Sequence, residues 1–584
     1  MKALKHLHKY FNKYRYRLII GIIITIIAKV FALFTPRLIG SSINIVSERL
    51  DGTISDEIFK HDLTINIIYL VGAAILAGIF TFLMRQTIIN VSRFIEFDLK
   101  NEIYKHYQVL SLNFYKTNRT GDLMNRISED VGKVRMYVGP AIMYTINTVT
   151  LFVIAIIYMI DRSPSLTLYT LLPLPILSVV IYRLSRLINK RSTIVQQSLS
   201  TLSTYSQETF SGISVIKSYG IEPRTNKEFE DLSATNREKQ INLTKVQALF
   251  FPMMILLIGV SNLIVIYVGG MQYMAGEIEK IGTIAEFIIY VNMLTWPVAT
   301  VGWVTSLVQQ AEASQERINE FLNTQPDIQN NTPELTPIKG DITFKNVSFT
   351  YPDTNIEALK DVSFTLQSGQ TLAILGKTGS GKSTILDLIG RLYDIDQGQV
   401  LIDQTPISEL NLNSLRESIG YVPQDAFLFS DSIKNNIKFG KEDATDEEVI
   451  AAATNAKVHK NIIGFTKGYD TVLGERGITL SGGQKQRVSI ARAIIKQPEI
   501  LLFDDCLSAV DTETEEKILK NLVKLTKDKT TIIVSHRISS AKNADHIIIL
   551  DDGKVIESGN HDTLINSDGY YKELYNKQRS EKEM

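Results

Sequence analysis

The chain has one cysteine, Cys506, among its 584 residues, and its formal net charge is zero, with 62 basic and 62 acidic side chains. One cysteine excludes an internal disulfide framework and a cysteine-rich metal site. The balanced charge gives no indication of nucleic acid as a partner, for which an excess of basic residues is typical. The length predicts two to four domains.

Acidic residues are absent from residues 1–17, which carry lysine and arginine throughout. The apolar run that follows, 18–34, is long for a signal peptide and lacks a small-x-small cleavage site before Pro36. We therefore predict that residues 1–17 form an amphipathic helix on the cytoplasmic surface of a membrane.

Long apolar runs fill the first half of the chain, whereas the remainder has the composition of a soluble α/β domain. A bilayer crossing takes about 20 mainly apolar residues, because unpaired backbone groups are not left in hydrocarbon. We predict six spanning helices, at residues 18–39, 63–84, 138–160, 166–187, 246–273 and 281–304. Pro173 and Pro175 in the fourth span and Pro297 in the sixth predict kinks.

The connections after the second and fourth spans are long, basic and helical in their apolar periodicity, so the spans should continue as helices beyond the membrane. The basic N-terminus, these loops and a soluble C-terminal domain can share the cytosol if there are six spans, which predicts that both termini are cytoplasmic. Residues 114–126 and 212–220 interrupt the loops with turn chemistry. They are either plain surface turns or, as we favour, apolar turns that dock on another protein surface.

A polar stretch rich in proline and asparagine, residues 323–337, predicts a linker. It divides the chain into an all-α transmembrane domain of six helices, residues 1–322, and an α/β P-loop NTPase domain, residues 338–584.

The strongest motif is Gly376-Lys-Thr-Gly-Ser-Gly-Lys-Ser383, which fits the phosphate-loop pattern and lies between a buried-strand run and a helical pattern. Backbone N–H groups of such a loop bind phosphate, its lysine reaches the β- and γ-phosphates, and its serine ligates Mg²⁺. We predict that ATP is bound by Gly376, Lys377, Thr378, Gly379, Ser380, Gly381, Lys382, Ser383 and Thr384.

A second buried strand ends in Asp504 and Asp505. Either the two acids are simply the solvated end of a strand or, as we favour, Asp504 lies beside Mg²⁺ as the Walker B acid.

These motifs, together with Leu480-Ser-Gly-Gly-Gln484, resemble those of the ATP-binding-cassette (ABC) ATPases. Residues 338 to about 577 resemble the nucleotide-binding domain of an ABC transporter. Six spans followed by one cassette resemble a half-transporter of the bacterial multidrug and lipid exporter type. The resemblance implies that two cassettes bind ATP between them, so that the signature residues Leu480, Ser481, Gly482, Gly483 and Gln484 contact ATP held by the partner.

The resemblance also implies roles for single residues. Tyr351 is similar to the aromatic residue that stacks on adenine, and Gln424 to the Q-loop glutamine that senses Mg²⁺ and the attacking water. His536 resembles the switch histidine at the γ-phosphate. Ser508 and Asp511 belong to a segment that resembles the D-loop, and residues 474–477 resemble a loop that contacts a coupling helix. The two interruptions at 114–126 and 212–220 stand where exporters have their coupling helices.

One position departs from the family pattern, because Asp505 stands where most such proteins have the glutamate that polarises the attacking water. Aspartate is one methylene shorter, and a misplacement of about one ångström can cost orders of magnitude in rate. Either the chain is the half of a heterodimer whose own Walker motifs form a slow site, which we favour, or it is a homodimer with two slow or compensated sites.

The expected function is ATP-driven efflux of a lipophilic or amphipathic substrate, such as a drug, lipid or peptide, across the bacterial cytoplasmic membrane. The alternative is a non-transporting regulator or an ATP-gated channel with the same architecture. Lys29 in the first span and Glu286, Trp296 and Trp303 in the sixth are candidates for the substrate pathway. Snorkelling for the lysine and interfacial packing for the tryptophans are the alternatives.

Overall fold

A computed structural model describes residues 2–330, 332–474, 480–507, 512–525 and 528–583. The chain forms two compact units. The first contains residues 1–107 and 121–324, and the second contains residues 108–120 and 325–584. The predicted turn at 114–126 is therefore divided, and its first part belongs with the C-terminal unit.

The first unit is helical. After a 3₁₀ turn at Ala3–Leu7, its long and short helices follow in chain order, with α4 in the second unit. Their bounds are α1 His8–Lys13, α2 Arg15–Leu50, α3 Asp56–Val109, α4 Leu112–Thr117, α5 Thr120–Asn125, α6 Val131–Met136, α7 Ile142–Arg162, α8 Pro164–Leu171, α9 Pro173–Ser211, α10 Ile213–Tyr219, α11 Glu222–Met274 and α12 Gly282–Asn323. Two π-helical turns, Arg126–Asp130 and Tyr137–Ala141, join α5, α6 and α7.

Five stretches of the described residues are long and apolar enough to cross a membrane: Arg15–Leu50, Asp56–Val109, Thr120–Arg162, Glu222–Met274 and Gly282–Asn323. They contain five of the predicted spans, and their length confirms that helices continue beyond the apolar segments. The fourth predicted span, 166–187, is not one continuous helix, because α8 ends at Leu171 and α9 begins at Pro173. Leu172 between them keeps helical backbone angles, φ −56° and ψ −37°, and its N–H still donates to the Leu168 carbonyl oxygen. Proline has no N–H to donate and its ring clashes with the preceding turn, so the interruption is local and agrees with the predicted kink.

The N-terminal segment does not present its apolar side to a membrane as predicted. Leu4, Leu7 and Tyr10 are buried within the first unit. The Ala3 N–H donates to Glu312 Oε1 of α12 at 3.1 Å. Lys13 pairs with Asp98 of α3 at 2.6 Å. The basic residues thus pair with acids of a neighbouring helix, a tertiary arrangement that the local charge pattern does not indicate.

The second unit contains the remaining helices and all the strands of the described chain. The strands are β1 Ile342–Thr350, β2 Glu357–Leu366, β3 Thr371–Gly376, β4 Gln397–Ile402, β5 Thr405–Pro406, β6 Ile419–Val422, β7 Ile500–Asp504, β8 Thr530–Val534, β9 His546–Asp551 and β10 Lys554–Gly559. The helices are α13 Lys382–Ile389, α14 Leu412–Glu417, α15 Ile433–Lys438, α16 Asp446–Asn455, α17 His459–Ile463, α18 Gly482–Ile495, α19 Thr512–Leu525, α20 Ile538–Ala541, α21 His561–Asn566 and α22 Tyr570–Glu583.

The strands form two sheets. One is antiparallel, in the order β2-β1-β4-β5, and the other has the order β10-β9-β3-β8-β7-β6, with only β10 antiparallel to its neighbour. The central strands β3, β7 and β8 are apolar along nearly their whole length because helices cover both faces of a parallel sheet. The carboxyl ends of β3 and β7 lie at one edge, which is where such sheets bind ligands.

Candidate nucleotide site

The phosphate loop connects β3 to α13 and is crowded by its neighbours. A Cβ atom at Gly376 would lie 2.1 Å from the Leu550 carbonyl oxygen of β9, and one at Gly381 would lie 2.3 Å from the Ala358 carbonyl oxygen of β2. The two glycines also have φ values of 148° and 96°, which side chains rarely adopt. Glycine is therefore required at both positions by space and by backbone conformation.

Lys382 opens α13 and is 6% exposed. Its Nζ donates to the carbonyl oxygens of Gly376 at 3.0 Å and Lys377 at 2.6 Å. Burial lowers the pKa of Lys382, an effect that the nearby Asp505 and Asp504 carboxylates oppose. An ammonium group held inside the loop and short of a full counter-charge is suited to an anionic group such as phosphate.

Ser383 and Asp504 meet at the carboxyl ends of the two strands, where Ser383 Oγ donates to Asp504 Oδ1 at 2.8 Å. Asp504 is buried, and burial raises its pKa. Ser380 Oγ is buried with no hydrogen-bond partner in the described part of the chain. A hydroxyl and a carboxylate side by side are ligands that Mg²⁺ prefers, and the unpaired hydroxyl leaves a donor for a phosphate oxygen. The residues therefore fit a magnesium nucleotide.

Asp505 follows the strand in an unusual backbone conformation. Its φ is 40°, in the left-handed region where aspartate is better tolerated than most residues, and its N–H donates to the Val534 carbonyl oxygen at 3.0 Å. The neighbouring Cys506 is 2% exposed, and burial raises the pKa of its thiol, as for an inert core cysteine.

His536 follows β8 and is half-buried. Burial, and then the positive charge of Lys382, lower the pKa of His536, while Asp505 and Asp504 oppose this shift. Asp504 pairs with Val534 across β7 and β8, and the Ser535 N–H donates to the Ile374 carbonyl oxygen of β3 at 3.1 Å, so the ends of three strands bring Lys382, Asp504, Asp505 and His536 together. The neutral imidazole is favoured at neutral pH.

Glu515 holds the segment after His536 in place, and the sequence analysis missed it. The Glu515 carboxylate is fully buried on α19, pairs with Arg537 at 2.5 Å and accepts a hydrogen bond from Ser540 Oγ at 2.6 Å. Nothing in the local sequence of α19 signals this role, because the partners lie more than twenty residues away.

The predicted adenine platform, Tyr351, lies in an aromatic cluster. Its ring centroid is 5.0 Å from that of Phe349 and 5.4 Å from that of Tyr393, and its hydroxyl is hydrogen-bonded to Thr384 Oγ1 at 3.0 Å. Lys116 Nζ, from the segment 108–120, lies 4.6 Å from the Tyr351 centroid and 4.9 Å from the Tyr393 centroid. Lys116 and Tyr393 were not predicted, since no short motif joins residues so far apart in the chain.

The signature segment begins α18 with a reciprocal cap. Ser481 Oγ accepts from the Gln484 N–H, and Gln484 Oε1 accepts from the Ser481 N–H at 2.9 Å. Leu480 is buried, whereas Ser481 and Gly482 are exposed. The helix N-terminus is therefore available to an anion at the surface of the cassette.

Gln424 has an exposed side chain, and its backbone carbonyl accepts a hydrogen bond from Gln486 Nε2 at 3.3 Å. This contact ties the predicted Q-loop to the signature helix α18, and Gln486 is a second residue that sequence reasoning missed. The predicted D-loop residues Ser508 and Asp511 and residues 475–477 lie outside the described residues.

The four candidates for the substrate pathway lie in the first unit and have different surroundings. Glu286 is 2% exposed, accepts from Tyr290 at 3.0 Å and pairs with Arg162 at 3.3 Å, so its charge is already matched. Trp303 packs edge-on against Tyr144 at 5.4 Å. Trp296 is exposed and Lys29 is half-buried. The geometry does not bring these four residues together in one cluster.

Comparison with known proteins identifies the family. Residues 18–298 match the family described as the ABC transporter transmembrane region, and residues 359–508 match the family described as ABC transporter. The chain is 36% identical over 582 residues to the probable multidrug resistance ABC transporter ATP-binding/permease protein YheI of Bacillus subtilis, covering 99% of this chain and 98% of the relative. This chain belongs to the ABC transporters. It fuses the membrane and ATPase parts of the family, and so is an ATP hydrolase coupled to transmembrane transport.

Two further similarities place the transporter among exporters. It is 33% identical to the multidrug resistance-like ATP-binding protein MdlA of Escherichia coli, over 100% of this chain and 97% of the relative. Its structure is similar to that of a bacterial Atm1-family ABC exporter with ATP bound, with a TM-score of 0.79, 26% identity and coverage of 97% of this chain and 98% of that chain. The transporter is thus of the multidrug exporter type, a membrane protein whose family works as dimers.

Proposed function

We propose that this transporter exports a lipophilic or amphipathic substrate across the bacterial cytoplasmic membrane, with both termini in the cytosol and six spans per chain, the divided helices α8 and α9 forming the fourth. The observation that carries the proposal is the convergence of Lys382, Ser383, Asp504 and His536 in a cassette fused to a bundle of long apolar helices. Two chains would bind ATP between the phosphate loop of one and the signature segment of the other.

In this site Lys382 would contact the terminal phosphates, and Ser383, Asp504 and Gln424 would hold Mg²⁺. The metal would neutralise phosphate charge. Tyr351 would stack on adenine. The neutral His536, fixed through the Glu515 contacts that follow it, would donate a hydrogen bond to the γ-phosphate. Hydrogen bonds in the fold already orient Lys382, Ser383 and Asp504, and such positioning is the main contribution of a protein to phosphoryl transfer.

The turn at 212–220 supports coupling between the membrane domain and a cassette in the proposed dimer. Phe210 and Tyr219 are about three-quarters exposed, and Val215 is about half exposed. Apolar side chains clustered on a turn far from the apolar runs need a protein surface to cover them. We infer that a cassette covers this turn in the assembled transporter.

We infer further that the chain pairs with a different half-transporter. A base at position 505 must reach the attacking water, and aspartate is one methylene shorter than the glutamate common in the family. The left-handed backbone at Asp505 is one that aspartate adopts more readily than most residues, because its short polar side chain can hydrogen-bond locally. The signature cap, by contrast, is complete. Such a chain would complete a competent site on its partner while its own Walker motifs hydrolyse slowly.

The test is the ATPase rate of the purified chain alone, compared with its Asp505→Glu and Asp505→Asn variants. We expect slow hydrolysis by the chain alone and an increase of about tenfold or more with glutamate, because the carboxylate regains its reach. Cooperative hydrolysis at an ordinary rate by the unmodified chain, abolished in Asp505→Asn, would instead establish a competent homodimer.

A further inference from the structure

A cavity of about 610 Å³ lies among helices α7, α9 and α12 of the first unit. Its apolar wall includes Phe152, Ile181 and Val301, and Tyr182 and Arg186 form part of its polar side. A Cβ atom at Gly302 would lie 3.2 Å from Ser185 Oγ, so α9 and α12 are in close approach beside the cavity. None of the residues assigned to the nucleotide site lies here.

A second opening of about 1000 Å³ adjoins the first and shares Tyr182, Arg186 and Val301 with it. Arg183 and Lys190 line this opening. The two cavities are therefore adjacent, and the space they define has an apolar wall and three cations. We call these cations the α9 basic cluster: Arg183, Arg186 and Lys190.

The charge of the α9 basic cluster is not matched by acids. The lining of both cavities contains no carboxylate. The sequence has no aspartate or glutamate between positions 173 and 207 of α9, and no charged residue between positions 287 and 311 of α12. Within the described residues, none of the three cations forms an ion pair. Cations beside an apolar wall at the end of a predicted span favour an anionic partner, because their desolvation is otherwise costly.

Resting on the proposed export function, we propose that this space is a binding site for the anionic group of an amphipathic molecule. The α9 basic cluster binds the anion, and Phe152, Tyr182 and Val301 pack against the apolar part. Two sources share this chemistry: an anionic phospholipid of the surrounding leaflet, or an amphipathic anion that enters from the aqueous phase.

The test is equilibrium binding of dodecyl phosphate and of dodecyltrimethylammonium, which share an apolar chain and differ in charge. The full chain is placed in phosphatidylcholine nanodiscs without ATP. The fluorescence of Trp303, next to Gly302 on α12, reports binding in a Trp296→Phe background, since the chain has two tryptophans. Because neither ATP nor transport is required, loss of the export function and loss of this site are separate results.

We expect dodecyl phosphate to bind, and the Arg183→Gln/Arg186→Gln variant to weaken binding at least about tenfold, as for the loss of charge-assisted hydrogen bonds. Arg191→Gln is the matched control, because Arg191 is on the same helix but donates to the Asn242 carbonyl oxygen and lines neither cavity. Arg186→Lys keeps the charge and should retain most of the affinity for dodecyl phosphate. If it does, the loss of affinity in the glutamine variant can be assigned to the lost charge and not to misfolding.

Two further outcomes decide the source and the proposal. If phosphatidylglycerol in the nanodisc displaces dodecyl phosphate from the wild type but not from the double variant, the natural occupant is a lipid headgroup. If it does not compete, the occupant is an aqueous amphipathic anion. The proposal is overturned if dodecyltrimethylammonium binds as tightly as dodecyl phosphate. It is also overturned if the wild type and the Arg183→Gln/Arg186→Gln variant bind dodecyl phosphate equally well, provided that the Arg186→Lys variant is folded.

Discussion

The phosphate loop and the signature segment are built in opposite ways, although both are proposed to bind ATP. The phosphate loop is crowded on both sides by the backbone of other strands, as at Gly376 and Gly381. The signature segment is capped by two hydrogen bonds between Ser481 and Gln484, only three residues apart, and is exposed. One end depends on tertiary contacts and the other on local sequence. We therefore expect a substitution in one segment to leave the other intact.

The largest effect is expected for Lys382→Ala. Its ammonium group is held at the loop, and loss of its charge-assisted bonds to phosphate should weaken ATP affinity of the isolated chain about a hundredfold. Titration with a fluorescent ATP analogue measures this. Lys360→Ala, which removes a lysine paired with Asp552 at 2.8 Å elsewhere in the cassette, is the control. Unchanged ATP affinity in Lys382→Ala would show that the phosphate loop is not part of the ATP site.

Ser481→Ala should distinguish the role of the signature segment from that of the phosphate loop. Losing the cap costs about 1 kcal/mol and disorders the anion-binding end of α18, so hydrolysis by the assembled dimer should fall about tenfold. ATP binding by the isolated chain should not change. Ser432→Ala removes a comparable cap, to the Asn435 N–H at 3.0 Å, and should leave hydrolysis intact. A loss of ATP binding as large as that of Lys382→Ala would show that the two ends are not independent.

Asp387 lies on α13, directly after the phosphate loop, and its burial has a cost in folding stability. Burial raises the pKa of Asp387 to about 6 from an ordinary 3.8. The folded state therefore holds the proton more tightly than the unfolded state. The stability of the cassette should fall as pH rises from about 4 to about 6, by about 2 kcal/mol, and stay lower above that range.

Calorimetric unfolding of the solubilised chain between pH 4 and 7 tests this, with Asp387→Asn as the variant that removes the slope. Asp568→Asn, at an exposed position where Lys572 lowers the pKa of the aspartate, is the control and should leave the slope in place. An identical pH profile for wild type and Asp387→Asn would show that burial at this position has no energetic effect.

The smallest effect is expected for Lys116→Met. The cation over Tyr351 contributes about 0.5–1 kcal/mol, so hydrogen exchange in residues 108–120 should quicken about two- to fivefold. Lys116→Arg retains a cation over the ring and should exchange as the wild type does. Equal exchange in all three proteins would mean that this contact does not hold the segment.

The parts of the structure predicted from sequence are those set by local pattern. Five apolar spans, their helical extensions and the strand–loop–helix unit around Lys382 follow from periodicity and one motif. The docking of Leu4 and Leu7, the cation at Tyr351 and the Glu515 contacts with Arg537 do not, because each joins residues that are distant in the chain. Pro173 signalled a disturbance in the fourth span, but whether a proline bends or ends a helix depends on its packing.

The crowding of Gly376 by β9 has a practical consequence for dissecting the cassette. The match to the ABC transporter family ends at residue 508, and a fragment cut there would retain the phosphate loop, the signature and the Walker B acid. It would lose β8 and β9, which flank β3 on both sides, and with them the Leu550 carbonyl against which Gly376 rests. Such a fragment would contain every nucleotide-binding motif but would lack the strands that support the phosphate loop. An excised domain should therefore extend through the antiparallel pair β9 and β10.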